Sequence, residues 1–187
     1  MTRFGYFLSC EEYAPEQLLD QARLAEQAGF DSLWISDHFH PWNNAQGQSP
    51  FVWSMIGAVA QVCDLPVTTA VTCPTVRTHP AIVAQAAATS AVLLGEGRFT
   101  LGVGTGEALN EHVLGDVWPH AGLRLEMLEE LVGGVLLAGE EVAEPGHQRA
   151  ACAFTRGRAC SGSWDISSPC WMAQRTACER DVTSILE

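Results

Sequence analysis

The residues with the clearest capacity for chemistry lie in the segment 32–43, SLWISDHFHPWN. A short apolar run at 33–35 predicts a buried strand, and Asp37 and His38 follow it at once. An imidazole can accept or donate a proton near neutral pH, so His38 is the first candidate for an acid–base catalyst. In parallel α/β proteins, ligands bind at the carboxyl ends of strands. This segment therefore predicts one edge of an active site, the alternative being an ordinary polar strand end.

A second acid–base candidate, Glu107, lies in the run GVGTGEALNE at 102–111. The glycines of that run allow a backbone to approach a ligand closely. A helix is predicted to begin near Ala108, and a carboxylate in a first helical turn is also favoured by the helix dipole alone. The sequence leaves both interpretations of Glu107 open.

His38 and His40 form an H-x-H pattern, which metal-dependent hydrolases place at the end of a barrel strand. Those sites need further ligands, often a carbamylated lysine, and all ten basic residues of this chain are arginine. The prediction is therefore that no metal is bound. Trp42 and Trp53 are candidates to line a flat aromatic pocket, with core packing as the alternative.

Four strand–helix units are predicted to position these side chains. Regular alternation of strands and helices indicates a parallel sheet with helices packed outside it. Strands that are apolar with little alternation agree, because such strands are covered on both faces. The predicted strands are 3–9, 33–35, 67–72 and 99–103, and the helices begin at Pro15, near Pro50, at Pro80 and near Leu123.

Among parallel folds, the loop sequences favour half of a TIM (β/α)8 barrel. A dinucleotide-binding fold has G-x-G-x-x-G after its first strand, whereas here that loop contains Cys10, Glu11 and Glu12. Polar residues follow every predicted strand, and a barrel would gather them on one face. A complete barrel takes about 250 residues, and the four units end near Ala138. The prediction is therefore the N-terminal half of a barrel, with an irregular C-terminal tail.

The amino-acid composition limits the classes of molecule that this protein is expected to bind. The net charge is -12 and hydrophobic residues make up 47% of the chain, so a globular protein without a basic face for nucleic acid is predicted. No apolar run approaches the ~18 residues that a membrane span needs, and the N-terminus lacks the apolar region of a signal peptide. We therefore expect a cytoplasmic protein whose partner is a small molecule, with no membrane association.

Three long segments resemble a known family. These are SDHFHPWN, TTAVTCPTVR with HPAIVAQAAAT, and GRFTLGVGTGEALNEH. They resemble the bacterial luciferase-like flavin and deazaflavin oxidoreductases, and within them the coenzyme F420-dependent enzymes of the glucose-6-phosphate dehydrogenase type. The resemblance covers residues 1–146. It implies an enzyme that moves hydride between an alcohol, including a sugar phosphate, and the deazaflavin, in a homodimer. An FMN-dependent monooxygenase is the alternative.

The same resemblance implies roles for individual residues. His38 is expected to take the substrate hydroxyl proton, Glu107 to protonate or stabilise the reduced ring, and Trp42 to hold the reacting pair. Cys73 stands where the dehydrogenase has a threonine, which weakens glucose 6-phosphate as the substrate. The Ala70–Val71 bond matches a non-prolyl cis peptide of the family. Expected cofactor-binding residues are Asp37, Ala70, Val71, Cys73, Thr105, Gly106 and Asn110.

Residues 147–187 depart from this pattern. They are rich in arginine, cysteine and serine and show no strand–helix rhythm, so a poorly ordered tail unrelated to the family is expected. Translation of a GC-rich gene in a shifted frame is one hypothesis for this tail and for the missing half. Half a barrel would leave the first and fourth strands as open edges. A non-catalytic, truncated half-barrel fragment is therefore a further alternative.

Overall fold

The computed structural model describes residues 2–142, in which strands and helices alternate along the chain. The four strands are β1 (Gly5–Leu8), β2 (Ser32–Ile35), β3 (Val67–Thr69) and β4 (Phe99–Thr100). The helices are α1 (Pro15–Gln27), α2 (Val52–Val59), α3 (Pro80–Leu94), α4 (Ala108–Glu111) and α5 (Ala121–Val142), with a 3-10 turn at His112–Leu114. The predicted tail, 147–187, lies outside the described residues.

The four strands form one parallel sheet in the order β1-β2-β3-β4. This confirms the predicted α/β pattern of four successive units. The third predicted strand, 67–72, is interrupted: β3 ends at Thr69, the Ala70–Val71 peptide bond is cis as expected, and pairing resumes at a bridge between Thr72 and Val103. The carboxyl ends of all four strands lie at the same edge of the sheet, where the candidate site residues follow them.

One face of the sheet carries the hydrophobic core. Alternate strand residues pack there against the apolar sides of α1, α2 and α3, which removes their surface from water. Trp53 belongs to this core, with its ring 6.2 Å from that of Phe99, so it does not pair with Trp42 in an aromatic pocket. The main strand residues of the core are Leu8, Leu33, Ile35, Val67 and Phe99.

The opposite face of the sheet is open in the described residues. Phe7 and Trp34 are about half exposed there and border a hollow of about 400 Å³ with Arg3, Gly5 and Ser32. A Cβ atom on Gly5 would lie 2.8 Å from the Trp34 indole, so a larger residue there would have to displace that half-exposed ring. This is the face that a closed barrel turns inward.

The helix ends agree with most sequence signals. α1 begins at Pro15 as predicted, and its C-cap is Ala28, followed by Gly29 with φ of 84°. α5 begins at Ala121, two residues before the predicted Leu123, and His120 Nδ1 accepts the amide of Leu123 at 3.2 Å. Across residues 2–142, no helix combines the length and apolar character needed to cross a membrane.

Candidate active site

The predicted acid–base pair lies together at the carboxyl edge of the sheet. His38 follows β2 after the buried residues Ser36 and Asp37, and Glu107 is the N-cap residue of α4. The His38 Nε2 atom lies 3.7 Å from Glu107 Oε1. The two side chains thus face each other, although they are 69 positions apart in the sequence (107 minus 38).

The other nitrogen of His38 contacts a residue that sequence reasoning did not select, Glu11. The distance from Nδ1 to Glu11 Oε1 is 2.5 Å, and Glu11 is only 2% exposed. Its second oxygen accepts hydrogen bonds from the hydroxyls of Ser36 at 2.9 Å and Ser9 at 3.0 Å. Glu11 is therefore anchored from β1 and β2 before it contacts the imidazole.

These contacts set the protonation of the pair. Burial raises the pKa of Glu11, but the hydrogen bonds from His38 and Ser36 outweigh it and lower the pKa below 4.5. Burial lowers the pKa of His38, but Glu11, and then Glu107, outweigh it and raise the pKa above 6.5. An ionised carboxylate only accepts hydrogen bonds, so Nδ1 carries the proton donated to Glu11. In the neutral ring, Nε2 is then free to accept a proton on the side of Glu107.

Trp42 and the loop after β2 enclose the imidazole. The Trp42 ring meets the His38 ring edge-on, with centroids 5.0 Å apart and planes at 90°, and the indole remains 55% exposed. Ser49 Oγ donates to the His38 carbonyl at 2.5 Å, which fixes the far end of this loop. The exposed ring of His40 contacts those of Phe39 and His112, away from the Glu11 side of His38.

Asn110 connects the loop that follows His38 to the Glu107 carboxylate. Its Oδ1 atom accepts the backbone amides of Phe39 and His40, each at 2.8 Å, and its Nδ2 donates to Glu107 Oε1 at 2.6 Å. The side chain is 3% exposed. Asn110, predicted to bind cofactor, thus already serves to hold His38 and Glu107 in one structure.

A second polar cluster includes Asp37, the residue before His38. We name Asp37, Thr72, Arg77 and Glu111 the Arg77 cluster. Arg77 Nη2 donates to Asp37 Oδ1 at 2.9 Å, and Thr72 Oγ1 donates to Asp37 Oδ2 at 2.8 Å. The Arg77 backbone amide donates to Glu111 Oε2 at 2.8 Å. The side-chain Nε of Arg77 lies 3.5 Å from Glu111 Oε1. Asp37 was predicted to touch the cofactor, and both its oxygens already have partners in this cluster.

The remaining predicted cofactor-binding positions line the same edge. Val71 is 43% exposed, next to Ala70, and the half-buried Thr105 and Gly106 lead to Glu107. Cys73 is buried, and burial raises the pKa of its thiol to about 12, so it is neutral at pH 7. Gly104 permits a close contact here, because a Cβ on it would lie 2.7 Å from Val71 Cγ2.

Replacing Glu11 by glutamine is expected to lower the pKa of His38 and to destabilise the fold by about 1.5–3 kcal/mol, the typical contribution of a charge-assisted hydrogen bond. The contribution of Glu11 exists above pH 4.5 and is lost as the pH falls through its lowered folded pKa. That of His38 exists below pH 6.5 and is lost as the pH rises through its raised folded pKa. The stability deficit of the variant should therefore be largest between pH 4.5 and pH 6.5.

Urea unfolding of both proteins across this pH range measures that deficit. Glu12→Gln is the matched control, because Glu12 is exposed and lies beside Glu11 in the same loop. A deficit for Glu11→Gln that does not change with pH would show that the carboxylate does not stabilise the protonated imidazole.

Parallel strands with helices packed on one face, and an acid–base pair at their carboxyl ends, define the class: part of an α/β barrel with its site at the strand ends. The chain belongs to the luciferase-like monooxygenase family, whose model matches residues 2–172.

Individual relatives are also similar to this chain. It is 45% identical over 147 residues to the F420-dependent glucose-6-phosphate dehydrogenase of Microbacterium testaceum, and 44% identical over 149 residues to that of Beutenbergia cavernae. These matches take in 77% and 78% of the chain. A solved F420-dependent secondary alcohol dehydrogenase, in complex with an F420-acetone adduct, is 40% identical over 82% of the chain, with a TM-score of 0.72. The chain spans 44% of the length of both dehydrogenases and 48% of the solved structure.

Proposed function

We propose that this chain carries the acid–base half of an F420-dependent oxidoreductase that transfers hydride between an alcohol carbon and the deazaflavin. One observation carries the proposal: the imidazole of His38 is held at Nδ1 by Glu11, while its Nε2 faces Glu107. The names of the relatives support F420 as the cofactor and an alcohol as the substrate. FMN with oxygen remains the alternative within the same family.

The residues at the strand ends fit a planar redox ring. A partly exposed valine follows the small Ala70, and the glycine at 104 leaves room for that valine side chain against the neighbouring strand. The apolar surface formed by Val71 lies on the same edge of the sheet as the proton-transferring pair, and it suits a redox ring whose faces are apolar. Ala70, Val71, Thr105 and Gly106 would hold the ring, while Asp37, Cys73 and Asn110 would shape the wall behind them.

When bound, F420 supplies the ring carbon that accepts or returns hydride. In the direction of alcohol oxidation, His38 Nε2 takes the hydroxyl proton, because Nδ1 is already protonated and bonded to Glu11. The imidazolium that forms is stabilised by the Glu11 carboxylate. Glu107 Oε1, 3.7 Å from Nε2, is the next group that can accept or return that proton. Trp42 shields one side of the imidazole and helps to exclude water.

Titration of the purified 187-residue chain with F420, and separately with FMN, tests this proposal. We expect the chain to bind F420 in preference to FMN. The absorbance spectra of the free and bound cofactors measure the binding. Val71→Glu should weaken F420 binding at least tenfold, because it places a negative charge on the proposed ring surface. Val92→Glu is the matched control, because Val92 is an exposed valine on α3 that is outside the site.

The outcomes separate the three interpretations. Preferential binding of FMN would support the monooxygenase alternative. No binding of either cofactor by a folded chain would support the non-catalytic half-barrel. Two expectations stay predictions: a cytoplasmic location, and a homodimer in full-length members of the family.

A further inference from the structure

The proposed proton transfer does not use the Arg77 cluster, although the cluster includes Asp37, the residue before His38. The Arg77 side chain is 10% exposed, that of Asp37 is 4% exposed and that of Glu111 is 1% exposed. Removing three charges from water is costly, and such groups often fix one geometry rather than add stability. This raises the question of which geometry the cluster fixes.

The two carboxylates of the cluster belong to the elements that carry the base and the acid. Asp37 directly precedes His38 at the end of β2. Glu111 is the last residue of α4, and Glu107 is the N-cap of the same helix. Arg77, from the segment between β3 and α3, contacts both carboxylates. The guanidinium and the backbone amide of Arg77 together thus connect the end of β2 to α4.

Packing extends this connection to the loop before Glu107. Gly106 has φ of +76°, and a Cβ on it would lie 2.8 Å from Glu111 Cγ. The backbone that leads into Glu107 therefore rests directly on the Glu111 side chain. A shift of Glu111 would carry this loop, and with it the Glu107 carboxylate.

We propose that Arg77 is a positioning residue that sets the separation between His38 Nε2 and Glu107 Oε1 by holding Asp37 and Glu111 at fixed positions. The catalytic meaning of this role rests on the proposed function. Lysine cannot replace Arg77 here, because an ammonium lacks the planar array of donors through which a guanidinium contacts two carboxylates at once.

The test is a double-mutant cycle between Arg77→Lys and Glu107→Gln, read by NMR titration of the His38 imidazole in the full chain without cofactor. Three carboxylates act on His38: Glu11, Glu107 and Asp37. Glu107→Gln should lower the pKa of His38. Arg77→Lys keeps the charge of the cluster, yet it should also lower that pKa because Glu107 moves away. In the Glu107→Gln background, Arg77→Lys should lower the pKa by less, because only the effect of Asp37 on His38 is left to change.

A His38→Gln spectrum identifies the His38 signals among the six histidines. Arg98→Lys is the matched control, because Arg98 also pairs with an aspartate, Asp64, but belongs to no part of the site. If Arg77→Lys does not fold, Glu111→Gln replaces it in the same cycle.

An unchanged His38 pKa in a folded Arg77→Lys variant would overturn the proposal, as would a shift of the same size in the Glu107→Gln background. Because this titration contains no cofactor, its result is independent of the F420 experiment. A chain that binds no cofactor but shows the coupling would refute the proposed function and leave Arg77 as the residue that positions the pair.

Discussion

Replacing His38 by glutamine is expected to lower the rate of alcohol-dependent F420 reduction by about 10²–10⁴-fold, the usual contribution of a general base. Glutamine can still hydrogen-bond to Glu11 and contact Trp42, but it cannot take the hydroxyl proton. The loss should therefore appear in kcat, with the affinity for F420 little changed. The decrease of F420 absorbance in single-turnover mixtures of chain, F420 and a secondary alcohol measures this rate.

His40→Gln is the matched control for that experiment. His40 is the other histidine of the H-x-H pattern, its ring is exposed, and it contacts Phe39 and His112 rather than Glu11. We expect its rate to stay within about twofold of the unmodified chain, as for most surface substitutions. Equal losses from both substitutions would contradict a single-base mechanism and favour a site in which the two imidazoles act together.

The sheet could be predicted from the sequence because its strands are short apolar runs separated by amphipathic helices. What the periodicity could not predict was the length of each strand. Apart from Ala70, the run 67–72 consists of Val and Thr, which favour strands, yet the ladder is interrupted after Thr69 and resumes at Thr72. Strand ends are set by the backbone path and by the partner strand, neither of which is visible in a single segment.

The candidate site was predictable to the extent that its residues lie in the loops that follow strands and have side chains suited to acid–base chemistry. His38 and Glu107 could be selected for this reason, and the structure brings them together. Glu11, Arg77 and Glu111 were missed, because their importance comes from contacts distant in sequence. Glu11 meets His38 across 27 positions, and Arg77 meets Asp37 across 40. The one available signal for Arg77 was its place in the segment TTAVTCPTVR, which continues from β3 into the loop before α3.

The open face of the sheet connects the fold to the site. Phe7 and Trp34 are half exposed on the face that a closed barrel turns inward. The contacts described for the site are made by Glu11, Asn110 and the Arg77 cluster, all of which lie within residues 2–142. Among residues 2–142, the contacts of the acid–base pair do not include Phe7 or Trp34. Titrations of this chain can therefore report on the pair.

Replacing Arg77 by methionine is expected to destabilise the chain by about 3–5 kcal/mol, the cost of removing one member of a buried ion pair. Methionine fills much of the arginine volume, so the main change is the loss of the positive charge and its donors. Asp37 and Glu111 would then be buried with an uncompensated charge, since their side chains are 4% and 1% exposed. Urea unfolding, followed by circular dichroism, measures the change in the free energy of unfolding.

Two further variants identify the cause of that loss. Arg98→Met removes an arginine whose ionic partner, Asp64, is 92% exposed and which also donates to the Cys63 carbonyl at 2.7 Å. Losing an exposed ion pair and one hydrogen bond should cost about 1–2 kcal/mol. The triple variant Asp37→Asn, Arg77→Met, Glu111→Gln removes all three charges, and it should recover most of the stability lost in the single variant, because no unpaired charge remains buried. If the triple variant is as unstable as Arg77→Met alone, then packing by the arginine side chain, and not charge pairing, accounts for its contribution.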